Sequence, residues 1–465
     1  MVVSKRARDL VLGLLVAAGC GALALSQGLS DAAAWTAAVT GLCAVFWVLE
    51  PIAVPATSLI PFAVFPLVGV LDHATVAHAY GHTLIILFMG GFMVSLSVEK
   101  SGVHRRLALG MVRLAGGGGR RLVLGFMLAS AVCSMWISNT ATVLMLLPIA
   151  LATVSDDGSA FDEDGYGTRL ATPLMLGIAY AASIGGMATP IGTPPNLIFM
   201  ANYERETGLQ VSFLEWMKIG VPVALVLIPC AWLHLTRNLR ESRPLELEVS
   251  SAWRSQEVRV LVIFGLTAAA WIFRVEPYGG WSGLMGAETA SDSTVALVAV
   301  IVLFLVPDGE GGALLDWDTA KRIPWGILLL FGGGIAISAG FKASGLSDAL
   351  GGAIGQVATL HIALVIGAIC LSVTFMTEVV SNTATTNLLM PILAAAAIDA
   401  TLEPALLMIP ATLSASCAFM LPVATAPNAI VSGTPYVTTR IMAREGFLLN
   451  LLGVFVLTCV CLLLL

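Results

Sequence analysis

Ser138-Asn139-Thr140-Ala141-Thr142 and Ser381-Asn382-Thr383-Ala384-Thr385 are one polar pentapeptide written twice, each in the middle of a long apolar stretch. The blocks around them match as well. Segment 88–148 maps without a gap onto 331–391 at a constant offset of 243. Phe88, Gly90, Gly91, Ser95, Ser101, Gly102 and Leu107 fall on Phe331, Gly333, Gly334, Ser338, Ser344, Gly345 and Leu350, and Pro148 falls on Pro391. Downstream, Pro195-Asn196 maps onto Pro427-Asn428 at an offset of 232. The first copy is thus eleven residues longer, which the acidic loop with Asp156, Asp157, Asp162, Glu163 and Asp164 accounts for. Repeated halves of this kind mark secondary transporters.

The rest of the chain is the right solvent-matched material for that reading. Of its 465 residues, 58% are hydrophobic and 11% charged, against about 25% charged in soluble domains. Apolar runs of roughly 20 residues recur end to end, each long enough to cross hydrocarbon as a helix, and the short alternating strands of a membrane barrel are missing. We therefore expect an all-α polytopic membrane protein. Spans read at 33–49, 52–71, 82–98, 121–154, 168–200, 211–235, 258–274, 293–307, 324–341, 358–398, 403–430 and 445–465. Stretches 121–154 and 358–398 are too long for one crossing, and each carries its Ser-Asn-Thr where a lipid-facing helix would leave it unsatisfied. They read as hairpins that enter the membrane and turn back. Lys5, Arg6 and Arg8 ahead of the apolar run 10–25 fit a signal peptide or, preferably with so many spans following, a retained first helix. The domain reading is an N-terminal helix at 1–32, a first repeat at 33–235, a polar linker at 236–257 and a second repeat at 258–465.

Charge sets the orientation of the copies. Segment 100–121 carries Lys100, Arg105, Arg106, Arg113, Arg120 and Arg121, whereas its equivalent 343–364 has no lysine or arginine and only Asp348. By the positive-inside rule, the first hairpin enters from the cytoplasm and the second from outside, so the repeats are inverted. The basic stretches 5–8 and 237–259, with Arg440 and Arg444, go to the cytoplasm with it; 26–31 and 276–292 face out.

A broken helix offers orphan N–H groups and a positive dipole end on one side, suited to a carboxylate, and orphan carbonyls on the other, suited to sodium. Ser, Asn and Thr add neutral ligands without stranding a charge in hydrocarbon. With no Lys or Arg in either pentapeptide, an anion would rely on dipoles and co-bound cations, which favours cation-coupled anion transport. The segments Gly192-Thr193-Pro194-Pro195-Asn196 and Ala424-Thr425-Ala426-Pro427-Asn428 read as unwound points facing each hairpin, because proline removes a donor. One isolated Ser-Asn-Thr could simply back-bond or pack; two at inverted positions argue for a site. Glu378, an intramembrane acid, fits a proton or cation site, although its counterpart Met135 favours a local structural pairing. Glu50, beside Pro51, reads as interfacial. Other chemistries lack their signatures. The net charge of −6 offers no basic face for nucleic acid; the eight cysteines sit in apolar segments as small hydrophobes; 116–119 lacks the Gly-Lys-Ser/Thr of a phosphate loop. The six histidines have no metal-ligand spacing, and no nucleophile–base–orienter set is visible, so no enzyme is expected.

In both Ser-Asn-Thr motifs, Thr-Pro-Pro-Asn at 193–196, Pro-Asn at 427–428 and the run Leu328-Leu329-Leu330-Phe331-Gly332-Gly333-Gly334, the chain resembles the divalent anion/sodium symporter family of sodium-coupled dicarboxylate and citrate carriers. The likeness covers nearly the whole chain. It implies about eleven transmembrane helices plus two re-entrant hairpins, a homodimer in the inner membrane, an elevator motion, and an inside N-terminus with an outside C-terminus. It also implies one sodium site at Ser134, Ser138, Asn139 and Gly192 and a second at Thr377, Ser381, Asn382 and Ala424. The substrate carboxylates would meet Ser138, Asn139, Thr140, Thr193, Ser381, Asn382, Thr383 and Thr425. Ala426 stands where the first repeat, and many relatives, have proline, which loosens that side. The implied activity is sodium-driven import of di- or tricarboxylates such as succinate; a sodium-independent dicarboxylate exchanger and a sodium/sulfate symporter are the alternatives.

Overall fold

A computed structural model describes residues 5–116, 119–156, 166–239, 252–349 and 361–465. Among them the secondary structure is helical, with no strand. Seven helical stretches are individually long and apolar enough to cross a membrane: Lys5–Ser26, Asp31–Leu49, His73–Ser101, Phe213–Thr236, Ser255–Ile272, Trp325–Ser344 and Thr439–Leu464. The other apolar helices are shorter because they are broken, and the breaks carry the architecture.

Stretch 121–154 forms two helices, Arg120–Ser134 and Asn139–Asp156, joined by a turn that begins at Met135. Direction follows from the contacts with the next helix, Tyr166–Gly186. The Ser130 hydroxyl donates to the Ile178 carbonyl (2.7 Å), and the backbone of Ala131 lies directly under Gly185. The first arm and Tyr166–Gly186 therefore run parallel and in direct contact, and the second arm returns alongside them. The second copy repeats this pattern. Ile362–Met376 and Asn382–Asp399 flank a turn at 377–381, and Thr377 Oγ1 donates to the carbonyl of Ala415, at the end of helix Ala405–Ala415 (2.9 Å).

Each of these third helices ends in an unwound break and resumes: Tyr166–Gly186 as Pro194–Thr207, and Ala405–Ala415 as Ala426–Ser432. The resumed helices cross over. Pro194–Thr207 packs along the second hairpin until the Tyr203 hydroxyl donates to Glu403, at that hairpin's base (2.7 Å). Ala426–Ser432 packs along the first until Thr172 Oγ1, at the base of that hairpin, donates to the Tyr436 carbonyl (2.8 Å). The two tips thus meet in the middle while their bases lie at opposite ends of the bundle.

The Gly-Gly pairs matched in sequence lie in Thr83–Ser101 and Trp325–Ser344, both closed by a left-handed glycine, Gly102 (φ 77°) and Gly345 (φ 76°). Close approach explains the pairs. A Cβ on Gly334 would lie 2.1 Å from Asn387 Oδ1 of the second hairpin, and one on Gly90 2.7 Å from Ala296.

Two elements differ from the expectation. Stretch 52–71 is not one span but Val54–Thr57 and Ile60–Leu67. The break falls just ahead of Pro61, in the first turn of the second helix, and Ser58 turns its hydroxyl back onto the Val54 carbonyl (2.8 Å) while accepting from the Trp47 indole (3.0 Å). The basic stretch after Ser101 holds a helix, Val103–Ala115, that buries Val103, His104, Ala108 and Val112 on one face against the first hairpin. Most of the acidic loop and of the polar linker lies outside the described residues.

Candidate functional site

The tips enclose a cavity of ≈ 480 Å³. Its walls include Ser138, Asn139 and Thr140 from the first hairpin and Ser381, Asn382 and Thr383 from the second. Gly192 and Thr193 line it from the first break, Ala424, Thr425 and Ala426 from the second. Every residue assigned to the substrate from the sequence therefore reaches one space. Thr193 is buried, Ser138 and Ser381 are open to the cavity, and the others lie between.

Each turn starts a helix, so unpaired N–H groups point into the cavity. Ser138 Oγ accepts from the Ala141 amide (3.2 Å). Ser381 caps its helix without a side-chain bond, leaving its hydroxyl available. The breaks show the reverse: Thr425 Oγ1 accepts from the Asn428 amide (3.2 Å), while Thr193 makes no cap bond. No basic side chain lies on the tips.

Behind the tips are two matched clusters of oxygen. The Ser134 hydroxyl donates to Asn139 Oδ1, and Thr377 Oγ1, whose single proton is shared with the Ala415 carbonyl, lies 2.7 Å from Asn382 Oδ1. Ser134 and Thr377 are fully buried. Neutral hydroxyl and amide oxygens of this kind suit a hard monovalent cation. In the first break Gly192 presses against Gly186, where an added Cβ would lie 2.5 Å from the Gly186 carbonyl oxygen. The second break has alanine at both equivalent positions, 418 and 424.

The asparagines of the two Pro-Asn pairs hold the breaks open. Asn196 Nδ2 donates to the carbonyls of Gly186 (3.0 Å) and Thr189 (2.7 Å). Asn428 Nδ2 donates to those of Ala418 (2.9 Å) and Leu421 (3.1 Å), at the same sequence spacing. Both side chains are completely buried, and buried carbonyls freed from a helix must find donors. One more carbonyl in each break is satisfied by an aromatic. Trp216 Nε1 donates to Met187 (2.9 Å) and the Tyr180 hydroxyl to the equivalent Phe419 (2.7 Å). Gly220 and Gly446 from the following helices pack on those same carbonyls.

Glu378 is not aimed into the cavity. Its Oε1 accepts from the amides of Phe419 (2.7 Å) and Met420 (2.8 Å) and from Asn450 Nδ2 (2.7 Å), and its Oε2 accepts from the Leu421 amide (2.9 Å). The acid is buried and ties the second hairpin to the second break. In the first repeat the tie has opposite polarity, the Thr189 hydroxyl donating to the Met135 carbonyl.

The model of a family described as "Citrate transporter" matches residues 44–408. The chain belongs to that family. It is a multi-pass membrane transporter rather than an enzyme. A relative named sodium-dependent dicarboxylate transporter SdcS, from Staphylococcus saprophyticus, is 36% identical over 451 residues, spanning 93% of this chain and 86% of the relative. SdcS of Staphylococcus aureus strain USA300 is 35% identical over 436 residues, 90% of this chain and 83% of that one. In overall fold, this family member is similar to the YdaH transporter of Alcanivorax borkumensis (TM-score 0.61, 14% identity, covering 86% of this chain and 88% of that one). It is also similar to MtrF of Neisseria gonorrhoeae (TM-score 0.56, 10% identity, 86% and 83%).

Proposed function

We propose that the protein is a sodium-driven symporter for dicarboxylates, binding the anion between the two hairpin tips and sodium in the two oxygen clusters behind them. The observation that carries this reading is the convergence of both Ser-Asn-Thr motifs and both breaks on one cavity, with no basic side chain on the tips. A divalent anion there depends on helix N-termini, hydroxyls and amides, and bound sodium supplies the remaining charge compensation. Sodium binds first: Ser134 with Asn139, and Thr377 with Asn382, turn their oxygens to the ion, with backbone carbonyls at 192 and 424 completing each set. Ordering the breaks in this way fixes Thr193 and Thr425 for the carboxylates, which makes anion affinity conditional on sodium. The names of the SdcS relatives support both the ion and the substrate class.

In the membrane the hairpins are re-entrant, each returning to the side it entered. The N-terminus and the basic segment at 100–121 face the cytoplasm across the inner membrane, and the C-terminus faces out. Transport proceeds by an elevator movement of the hairpins and broken helices against the remaining helices, in a homodimer.

The deciding experiment is uptake of labelled succinate into proteoliposomes under an inward sodium gradient, in choline, and with succinate preloaded. Sodium-dependent uptake without preload is the expected result. Uptake that ignores sodium and requires preload would make the protein an exchanger, and Ser134 and Thr377 structural. Absence of succinate uptake, alongside sodium-dependent sulfate uptake for which excess succinate fails to compete, would make it a sulfate carrier.

A further inference from the structure

The cavity has a mouth, and the mouth carries the charges that the tips lack. Two ionisable side chains line it, Glu99 at the end of helix Thr83–Ser101 and Arg322 just ahead of helix Trp325–Ser344. Their neighbours are neutralised locally. Lys100 Nζ pairs with Asp316 (2.6 Å) and also donates to the Ala313 carbonyl (2.9 Å), and Lys321 pairs with Asp318 (2.6 Å). Arg322 differs from both lysines. Among the described residues no hydrogen bond or ion pair engages its guanidinium, it is exposed, and it does not pair with Glu99 across the opening. An unpaired arginine on the wall of an anion site is a planar donor fork that matches a carboxylate at two points. The inverted repeat does not duplicate it: the position 243 residues earlier is Ala79.

We propose that Arg322 is a substrate-capturing residue on one side of the membrane, receiving a carboxylate of the incoming or departing dianion at the mouth before or after the tips hold it. Glu99 opposite keeps the mouth from retaining the anion, because its charge repels a second carboxylate. The mouth lies at the end of the helix that leads into the basic 100–121 segment, so the side served is the cytoplasmic one. This rests on the cavity being the anion site and on the orientation proposed above. By the same offset Ala79 stands for Arg322 and Lys342 for Glu99, and Lys342 lies 4.0 Å from Glu206, so the two faces differ in how they gather substrate.

Sidedness makes this testable with the full-length protein. KM for labelled succinate is measured at fixed sodium in inside-out and in right-side-out vesicles, for the wild type, Arg322→Gln, Arg322→Lys and Thr383→Ala, at low and high ionic strength. Arg322→Gln is expected to raise KM about 10-fold in inside-out vesicles at low salt, as loss of a charge-assisted contact does. The effect should be smaller at high salt, where the charge is screened, and under twofold in right-side-out vesicles. Arg322→Lys should recover only part of the loss, because it keeps the charge but not the two-point fork. Thr383→Ala should weaken both faces. If Thr383→Ala raises KM on both sides and Arg322→Gln on neither, or equally at both salts, the role of Arg322 is refuted while the tip site stands. If Thr383→Ala leaves both faces unchanged, the site reading itself fails.

Discussion

Replacing Glu378 by glutamine removes one charge and almost no volume, yet the structure makes it a severe change. Four donors converge on this buried carboxylate: three consecutive backbone amides, of Phe419, Met420 and Leu421, and the Asn450 side chain. Glutamine keeps a single acceptor oxygen. With that oxygen in the place of Oε1, its NH2 faces the Leu421 amide, donor against donor. One hydrogen bond to a charged group is lost, at about 1.5–3 kcal/mol, and the other three fall to neutral strength at a cost of about 1 kcal/mol each. The sum, roughly 4.5–6 kcal/mol, falls on residues 419–421 of the second break. It approaches the whole stability of a typical domain, about 5–15 kcal/mol, but it acts locally, because the first hairpin shares none of these bonds.

The readout is sodium. Restoring an unravelled second break becomes part of the work that sodium binding must do, so the sodium half-saturation of succinate uptake should rise at least tenfold. The melting temperature of the purified protein should fall without sodium and recover partly as sodium is added, since a ligand that binds only the ordered state stabilises it. Met135→Leu, at the equivalent position of the first repeat, is the control and should leave both measurements near wild type, because it is the Met135 backbone that takes part in the tie there. Glu378→Gln with wild-type sodium half-saturation and a melting temperature within about 2 °C would refute the reasoning, since the four bonds would then carry no net energy.

Other substitutions separate the two kinds of ligand. Thr140→Ala and Thr383→Ala should each raise the succinate KM about 10-fold, the loss of one buried hydrogen bond, while shifting sodium half-saturation less than twofold; equal loss of both would count against the division of roles. Ser134→Ala and Thr377→Val should do the opposite, raising sodium half-saturation by about 10-fold with the succinate KM at saturating sodium preserved. The Lys100–Asp316 pair should show in acid. The Lys100 ammonium and the Thr319 amide hold the Asp316 carboxyl down at about 2, from an ordinary 3.8. A depressed carboxylate contributes stability above its unfolded value and loses it as pH falls towards its folded one. The melting temperature of the wild type should therefore drop more steeply than that of Asp316→Asn between about pH 4 and pH 2, and parallel curves would show the pair to be inert.

How much of this was written in the sequence depends on whether a residue's role is local. Polar Ser-Asn-Thr in an apolar run, and proline next to asparagine, are local contradictions of a plain membrane helix, so the hairpins and breaks were legible, with helix ends within a few residues of those observed. The inversion was legible because a charge difference at one loop is enough to set it. Stretch 52–71 was misread because proline ends a helix only when something satisfies the freed groups, and the satisfying partner, the Tyr80 hydroxyl on the Ser58 carbonyl, lies on another helix. The helix Val103–Ala115 was hidden among arginines, although the spacing of Val103, Ala108 and Val112 was the signal for its buried face. Nothing in the sequence singled out Arg322. Only the pairing of Lys100 and Lys321 elsewhere sets it apart.

The repeats also show why self-similarity finds motifs but not their supports. Met187 and Phe419 are equivalent, and each carbonyl needs one donor, yet the first takes it from Trp216 and the second from Tyr180, on helices that do not correspond. The tie between hairpin and break goes further and reverses sign. In the first repeat the break donates, through Thr189, to the hairpin backbone at Met135. In the second, leucine stands at 421 where threonine stands at 189, so the break has no side-chain donor left and offers only its backbone amide; the hairpin supplies the acceptor, and Glu378 occupies the Met135 position. The two exchanges make sense only together. A carboxylate at 135 would face a hydroxyl whose donor is already committed, and methionine at 378 would leave three consecutive amides, one buried and two half-buried, without their acceptor. This coupling places a fixed negative charge one residue from Thr377, beside the second oxygen cluster, and nothing comparable beside Ser134. Two clusters built from the same pentapeptide therefore differ in what supports them, and on the proposal that both hold sodium, Glu378→Gln, which loosens residues 419–421, should act on the second and spare the first.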